Sequence, residues 1–215
     1  MTTVFITATG TDIGKTHVAC ALIRALRAQG RPVDAFKPVL SGYDVFEGSD
    51  AARLLAALGK TEADLDLMSP LRFAAPLAPP SAARAEGARL DLADLVARCR
   101  KRAASTEGLL LIEGAGGVMS PIAENATNLE LICELHAPAI VVTGSYLGAV
   151  SHTLTALETL WSRGVAICAV AISESEAAPP LAEITDALAT FAPYIPVVIA
   201  ARARDWDASP LAALL

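Results

Sequence analysis

Hydrophobic positions along the chain fall into two kinds of pattern, short continuous apolar runs and longer stretches with helical spacing. Thr3 to Ala8 is a short apolar run that predicts a buried strand. A helix is expected from about Lys15 to Gln29, with Val18, Leu22, Ala25 and Leu26 on one face and Gly30 as its stop signal. Pro32 to Lys37 reads as a second strand and Pro38 to Ser49 as a polar, Gly-containing loop. Asp50 opens a helical stretch, Ala51 to Leu58, that Gly59 closes. Residues 69–88 hold Pro70, Pro76, Pro79 and Pro80 and read as an irregular connection. Leu90 to Ala104 is helical, Leu109 to Glu113 is a strand that is apolar until its last residue, and Gly114 to Ser120 is a Gly-rich loop. Then come a helix (Asn128 to Leu135), a strand (Ala139 to Thr143, with Gly144 after it) and a helix (Val150 to Arg163, ended by Gly164). A strand (Val165 to Ile172), a helix (Leu181 to Phe191) and a last strand (Ile195 to Ile199) complete the pattern. Strands this apolar, alternating with helices, predict an α/β fold: a parallel sheet covered by helices on both faces. The 215 residues suit a single such domain over 1–215, and neither an internal repeat nor a low-complexity linker interrupts it.

Composition adds limits. The chain is 53% apolar, enough for a sizeable core, but only 5% aromatic, so packing should rely on small and branched side chains. A net charge of −6 without any run of five basic residues argues against a nucleic-acid partner, although one focused cationic pocket can still hold a phosphate. Arg98, Arg100, Lys101 and Arg102 cluster where a helix ends, a place that favours cations for local reasons. Cys20, Cys99, Cys133 and Cys168 form no Cys-x-x-Cys pair and read as reduced core residues of a cytosolic protein. Nothing resembles a signal peptide, and no apolar run approaches the ~20 residues that span a bilayer, so no membrane partner is expected.

In a parallel sheet, ligands bind beyond the carboxyl ends of the strands. Four polar segments fall there: Thr9 to Thr16, Lys37 to Ser41, Glu113 to Gly117, and Thr143 to Gly148. The first ends Gly14-Lys15-Thr16, between a strand and a helix. A phosphate loop needs unobstructed backbone N–H groups, a lysine for the terminal phosphates and a hydroxyl for Mg²⁺, and these three residues supply them. The loop is a variant, because the glycine expected at position 9 stands at Gly10. Lys37 ends a strand and points a second cation into the crevice, where it can stabilise charge developing during phosphoryl transfer. Ser41 and Gly42 follow and are placed to touch a substrate. Glu113 is a carboxylate at the end of an apolar strand, and Asp50 stands at a helix start, where an N-cap is the ordinary alternative. Together with Thr16 they make a set suited to nucleotide-bound Mg²⁺. The Gly114, Gly116 and Gly117 loop lets backbone approach a ligand closely. His17, His136 and His152 lack ligand spacing, and no Ser-His-Asp arrangement can be read.

These segments resemble the dethiobiotin synthetase family, of P-loop NTPase fold. The resemblance rests on Thr9 to Thr16, Phe36-Lys-Pro-Val-Leu-Ser-Gly42, Ser49-Asp-Ala51, Ile112-Glu-Gly-Ala-Gly-Gly117 with Pro121 after it, and Leu147-Gly148 with His152, in the family's order. It implies an ATP- and Mg²⁺-dependent ligase that joins CO₂ to 7,8-diaminopelargonic acid. One amine becomes a carbamate, the carbamate attacks the γ-phosphate, and the second amine closes a cyclic urea from the carbamic–phosphoric anhydride. By the same resemblance Lys37 and Lys15 are catalytic. Asp12, Ile13, Gly14, Lys15, Thr16, His17, Asp50, Glu113, Gly114, Ala115 and Gly116 hold the nucleotide, with Ser173 at the base. Thr11, Lys37, Ser41, Gly116 and Gly117 meet the diamine or carbamate, and Thr16, Asp50 and Glu113 hold Mg²⁺. The family is a homodimer, and a segment matching Leu147 to Ser151 holds the substrate's carboxylate tail near the interface.

The chain departs from the family at several positions. Ala8 and Gly10 replace a usual Gly and Asp, Ser173 stands where Asn meets the base, and Pro79 is followed by Pro80 rather than His. The usual Gly-x-Ile-Pro is not found near Val198 to Arg204. Three rival classes remain at this level. A ParA/MinD-type regulatory ATPase would carry a signature lysine where Gly10 stands. A related amide-forming ligase, such as a cobyrinate amidase, would add a glutaminase domain for which the chain is too short. A non-enzymatic nucleotide-binding module would leave Lys37 and Ser41 without purpose.

Overall fold

Six parallel strands form the main sheet of the computed structural model, which describes residues 2–176, 181–202 and 206–215. In chain order they are β1 (Thr2–Ala8), β2 (Val33–Phe36), β5 (Leu109–Glu113), β8 (Ala139–Gly144), β9 (Ile167–Ser173) and β10 (Val197–Ala200), arranged β10-β9-β8-β1-β5-β2. β1 is central, pairing Phe5 with Ile112 on one side and with Ala139 on the other. Successive side chains of a strand face opposite ways, so each strand feeds two cores. Val4, Ile6, Ala8, Leu109, Leu111, Ile140 and Val142 pack beneath α1 (Lys15–Ala28), α2 (Asp50–Leu58), α3 (Leu65–Met68) and α9 (Ser209–Ala212). Phe5, Leu110, Ile112, Val141 and Val170 pack beneath α4 (Pro79–Ala85), α5 (Leu92–Ala104), α6 (Asn128–Leu135), α7 (Ala149–Trp161) and α8 (Leu181–Phe191). Both faces are covered, as a run of wholly apolar strands requires.

Several segments carry more structure than their sequence suggests. The expected loop at Pro38 to Ser49 contains β3 (Val39–Ser41), which pairs in parallel with β4 (Leu71–Phe73) from the supposedly irregular stretch. Pro79 and Pro80 do not break that stretch but open α4, because the first helical turn needs no N–H from them. After the Gly-rich loop, β6 (Pro121–Ala123) and β7 (Ala126–Thr127) form a short hairpin. Asp50 is not the cap of α2. Ser49 is, its hydroxyl accepting from the Ala52 N–H at 3.1 Å, which leaves the Asp50 carboxylate free for other work.

The four cysteines are all free, but only Cys20 and Cys99 are core residues, their thiols pushed up to about 12 by burial. Cys133 and Cys168 are half-buried, which corrects the expectation that all lie inside. The basic cluster on α5 is dispersed among separate partners: Arg98 with Asp94, Arg100 with the Glu134 carbonyl, and Arg102 with Asp34. Among the described residues no helix is long and apolar enough to cross a membrane. Ala203 and Arg204, part of the stretch compared with the family's C-terminal motif, lie outside the described residues.

Candidate active site

The site is built where β1, β2 and β5 end. At the end of β1 the chain leaves the sheet, the Thr9 N–H still bonded to the Val142 carbonyl at 2.9 Å, and turns sharply before α1. Asp12 (φ 55°) and Gly14 (φ 103°) adopt left-handed backbone, which aims the following amides inward. Only glycine fits at position 14, since a Cβ there would stand 2.3 Å from the Ser173 hydroxyl oxygen. α1 then starts without a side-chain cap and without an acidic residue in its first turn. Its free N–H groups and positive dipole end are left for an anion.

The Gly-rich loop after β5 lies directly against this turn. A Cβ on Gly117 would stand 3.0 Å from both the Ala8 carbonyl and the Gly10 nitrogen. The Val118 N–H donates to the Ala8 carbonyl at 3.0 Å. Asn128, fully buried at the start of α6, donates its amide to the Ala115 and Gly117 carbonyls at 2.7 and 2.8 Å, and the Ser120 hydroxyl accepts from the Gly117 N–H at 2.8 Å. Asn128 and Ser120 thus position the loop, and neither stands out in the sequence. The available signal was a capping box, Thr127 with Glu130, which places Asn128 at the first helical position.

Between the two loops lies an ion cluster. The Lys37 ammonium donates to Asp50 Oδ2 and to Glu113 Oε1, each at 2.5 Å, and the Thr16 hydroxyl donates to the same Glu113 oxygen at 2.8 Å. Burial works against the charge on Lys37, yet the two carboxylates outweigh it and hold its pKa above the ordinary lysine value. Burial likewise opposes ionisation of Asp50, but Lys37 and the Thr16 hydroxyl keep its pKa below the usual carboxylate range. Among the described residues Lys15 has no carboxylate in contact, and its ammonium donates to the Gly10 carbonyl at 3.2 Å. Burial lowers its pKa, Glu113 opposes that shift, and Lys37 adds to it.

One cavity opens on this cluster, and a second adjoins it. The first, about 300 Å³, is walled by Gly14, Lys15, Thr16, His17, Lys37 and Asp50, among others. The second, about 380 Å³, runs from there to Pro76, Pro79 and Pro121. Thr11, Asp12, Ser41, Ala115 and Gly116 border both. Gly114 lines the first, while Gly117 packs behind the wall against the phosphate loop. Ile13 turns away and packs on the α1 side of the sheet. His17 lines the first cavity, its Nε2 2.9 Å from the Ala201 carbonyl and its ring 6.2 Å from that of Trp206. Ser173 backs Gly14. Leu147, 94% exposed, and the exposed Ser151 line neither cavity.

The donor set also matches what nucleotide-bound Mg²⁺ takes. Glu113 Oε2 is buried with no hydrogen-bond partner among the described residues, next to the Thr16 hydroxyl and the Asp50 carboxylate. Among the described residues no three His, Cys, Asp or Glu gather into a metal site. Two carboxylates and a hydroxyl leave the remaining positions of an octahedral ion to phosphate and water, the usual arrangement for this ion.

Comparison with known proteins agrees with this geometry. A family model described as an AAA domain matches residues 2–202. Among solved structures, the MinC:MinD cell division protein complex of Aquifex aeolicus superposes with a TM-score of 0.51 at 13% identity, over 92% of this chain and 79% of that one. That likeness speaks to the fold alone. Curated proteins named ATP-dependent dethiobiotin synthetase BioD match along their length. That of Caulobacter vibrioides is 52% identical over 100% of this chain and 99% of its own, and that of Caulobacter sp. (strain K31) is 53% identical over 99% and 93%. With identity at that level over the full length, and the phosphate loop, Lys37 cluster and Gly-rich loop gathered around one cavity, the chain belongs to the dethiobiotin synthetase family.

Proposed function

We propose that this chain catalyses the ATP-dependent closure of dethiobiotin's ureido ring from diaminopelargonic acid and CO₂. The single observation that carries the reading is Lys37: a buried ammonium between Asp50 and Glu113, in the wall of a phosphate-loop cavity that a second cavity adjoins along Thr11, Asp12, Ser41, Ala115 and Gly116. A switch protein needs the first cavity only. A ligase needs two, one for the nucleotide phosphates and one for an acceptor that reaches the terminal phosphate from the other side.

The residues divide the work by position. The α1 N-terminus and Lys15 receive the nucleotide phosphates. Asp50, Glu113 and Thr16 hold Mg²⁺, which when bound neutralises phosphate charge and orients the transferring group. Thr11, Ser41 and the backbone of Gly116 border the second cavity and orient the diamine, one amine of which has become a carbamate. A carbamate and a triphosphate repel each other. Lys37 stands where their charges meet, and its raised pKa keeps it cationic throughout the neutral range. Attack of the carbamate on the γ-phosphate, followed by the second amine closing the ring and expelling phosphate, needs proximity and fixed positive charge rather than a protein nucleophile. Leu147 and Ser151, remote from both cavities in one chain, contribute from a second copy across a homodimer interface, where they meet the substrate's carboxylate. The reaction takes place in the cytoplasm.

The test is to supply diaminopelargonic acid, labelled bicarbonate, Mg²⁺ and ATP, with Lys37→Ala alongside. Label in dethiobiotin with the native chain, reduced at least ~100-fold in the variant, is the expected result, the size typical for loss of one preorganised charge at a transition state. Nucleotide binding without any labelled product would overturn the proposal.

A further inference from the structure

Arg53 lies on α2, one turn beyond Asp50, and lines the same cavity as Lys15, Thr16 and Lys37. No role has yet fallen to it. Elsewhere on the surface arginines are held: Arg27 by the Ala57 carbonyl, Arg31 by that of Ala212, Arg98 by Asp94. The Arg53 side chain is exposed, and among the described residues no carboxylate or carbonyl binds its guanidinium. It shares that cavity wall with Asp50, one turn before it on α2, and with Thr16 in the first turn of α1. The side chain therefore borders the cavity on the side where α2 meets the first turn of α1.

The charges around the cavity explain why a cation belongs there. Lys15 and Lys37 are positive, whereas Asp12, Asp50 and Glu113 are negative, and Lys37 already serves the last two. These five side chains leave the site with an excess of negative charge, which would repel a polyphosphate. Arg53 brings the fixed charge to balance before any metal enters. Its planar fork also suits phosphate oxygens better than a point charge does.

We propose that Arg53 is a third phosphate-binding cation, whose guanidinium closes on the polyphosphate of the bound nucleotide from the α2 side. This rests on the ATP-dependent reading above. An unpaired guanidinium at the mouth of an occupied site is free to swing in, and a charge-assisted contact there is worth about tenfold in affinity at the screened, exposed end of its range.

The test is calorimetric titration of the free protein with β,γ-imido-ATP and Mg²⁺, for the native chain, Arg53→Ala, Arg53→Lys and Lys15→Ala. Arg53→Ala should bind about tenfold more weakly, and Arg53→Lys should fall between it and the native chain. The gap should narrow in about 0.5 M KCl, because an exposed ion contact is screened. The melting temperature of the free protein should stay within about 2 °C, as for other exposed positions. Unchanged affinity in Arg53→Ala, or a loss indifferent to salt and not recovered by lysine, would overturn the proposal. Lys15→Ala separates this result from failure of the underlying reading. If it too binds like the native chain, the nucleotide does not sit on the phosphate loop and both ideas fall.

Discussion

Lys37→Met removes one charge from the centre of the site and keeps most of the side chain's volume. Lys37 is 3% exposed, and its ammonium lies 2.5 Å from each of two carboxylates. Without it, Glu113 and Asp50 face each other with only the Thr16 hydroxyl between them. Breaking a buried ion pair from one side costs about 3–5 kcal/mol, because a charge is left uncompensated. The Asp50 side chain is 36% exposed, so water screens it and the low end, about 3 kcal/mol, applies. For a chain of this length that is a fall of roughly 6–12 °C in melting temperature. The pH dependence carries a sign that packing loss would not. In the native chain the Asp50 pKa is lowered on folding, so its contribution is present above the ordinary carboxylate range and is lost as pH falls through the folded value. The Lys37 pKa is raised, so its contribution is complete below the ordinary lysine value and is lost only as pH rises through the folded one. Both leave native stability nearly flat across the neutral range. In the variant, two like charges share a site and one carboxyl pKa must rise, so stability increases as pH falls from about 7 to about 5. Thermal unfolding followed by circular dichroism over that range reads both effects. An unchanged melting temperature, or a drop of the same size at every pH, would refute the ion-cluster argument.

Gly14→Ala should abolish nucleotide binding and destabilise the free chain by about 2 kcal/mol, from a left-handed backbone and a Cβ placed 2.3 Å from the Ser173 hydroxyl. Adding Ser173→Gly should recover part of that stability but not all, and a full recovery in a melting experiment would show that backbone strain plays no part. Asn128→Ala removes the amide donor to the Gly-rich loop and leaves the half-buried Ala115 and the buried Gly117 carbonyls without it. The expected cost is about 2–3 kcal/mol by urea unfolding, with a raised KM for both substrates, and normal kinetics would show that the loop holds its shape unaided. Thiol labelling at about pH 8 should modify the half-buried Cys133 and Cys168 first and reach Cys20 and Cys99 only on unfolding, since burial pushes the latter pair up to about 12. Rapid reaction at all four in the native chain would contradict the packing described.

Most of the sheet was legible because its strands are apolar on both faces, and Gly30, Gly59 and Gly164 mark where helices stop. The phosphate loop, Lys37 and Glu113 could be found because each places a polar side chain where an apolar strand ends. What escaped was tertiary. The three-residue strands β3 and β4 exist only because they pair with each other, and Val39 to Ser41 alone carries no period to detect. The prolines at 79 and 80 signal a break or a helix start equally well until their neighbours are known. For Asp50 a cap stood open beside the metal role because Asp and Ser both favour that position, and only the backbone decided that Ser49 takes it. Asn128 works on loop carbonyls eleven and thirteen residues earlier, a distance that no local pattern spans.

The most direct test of the central claim is the coupling of phosphate release to ring closure. Inorganic phosphate and labelled dethiobiotin would be counted in the same reaction, with the diamine and bicarbonate each omitted in turn. Two cavities that adjoin along Thr11, Ser41 and Gly116, with Lys37 in the wall of the first, predict one phosphate for each ring closed, and almost none when either partner is missing. Phosphate released at an undiminished rate without the diamine would mean that the second cavity plays no part in the chemistry, and would return the chain to the class of ATPase switches.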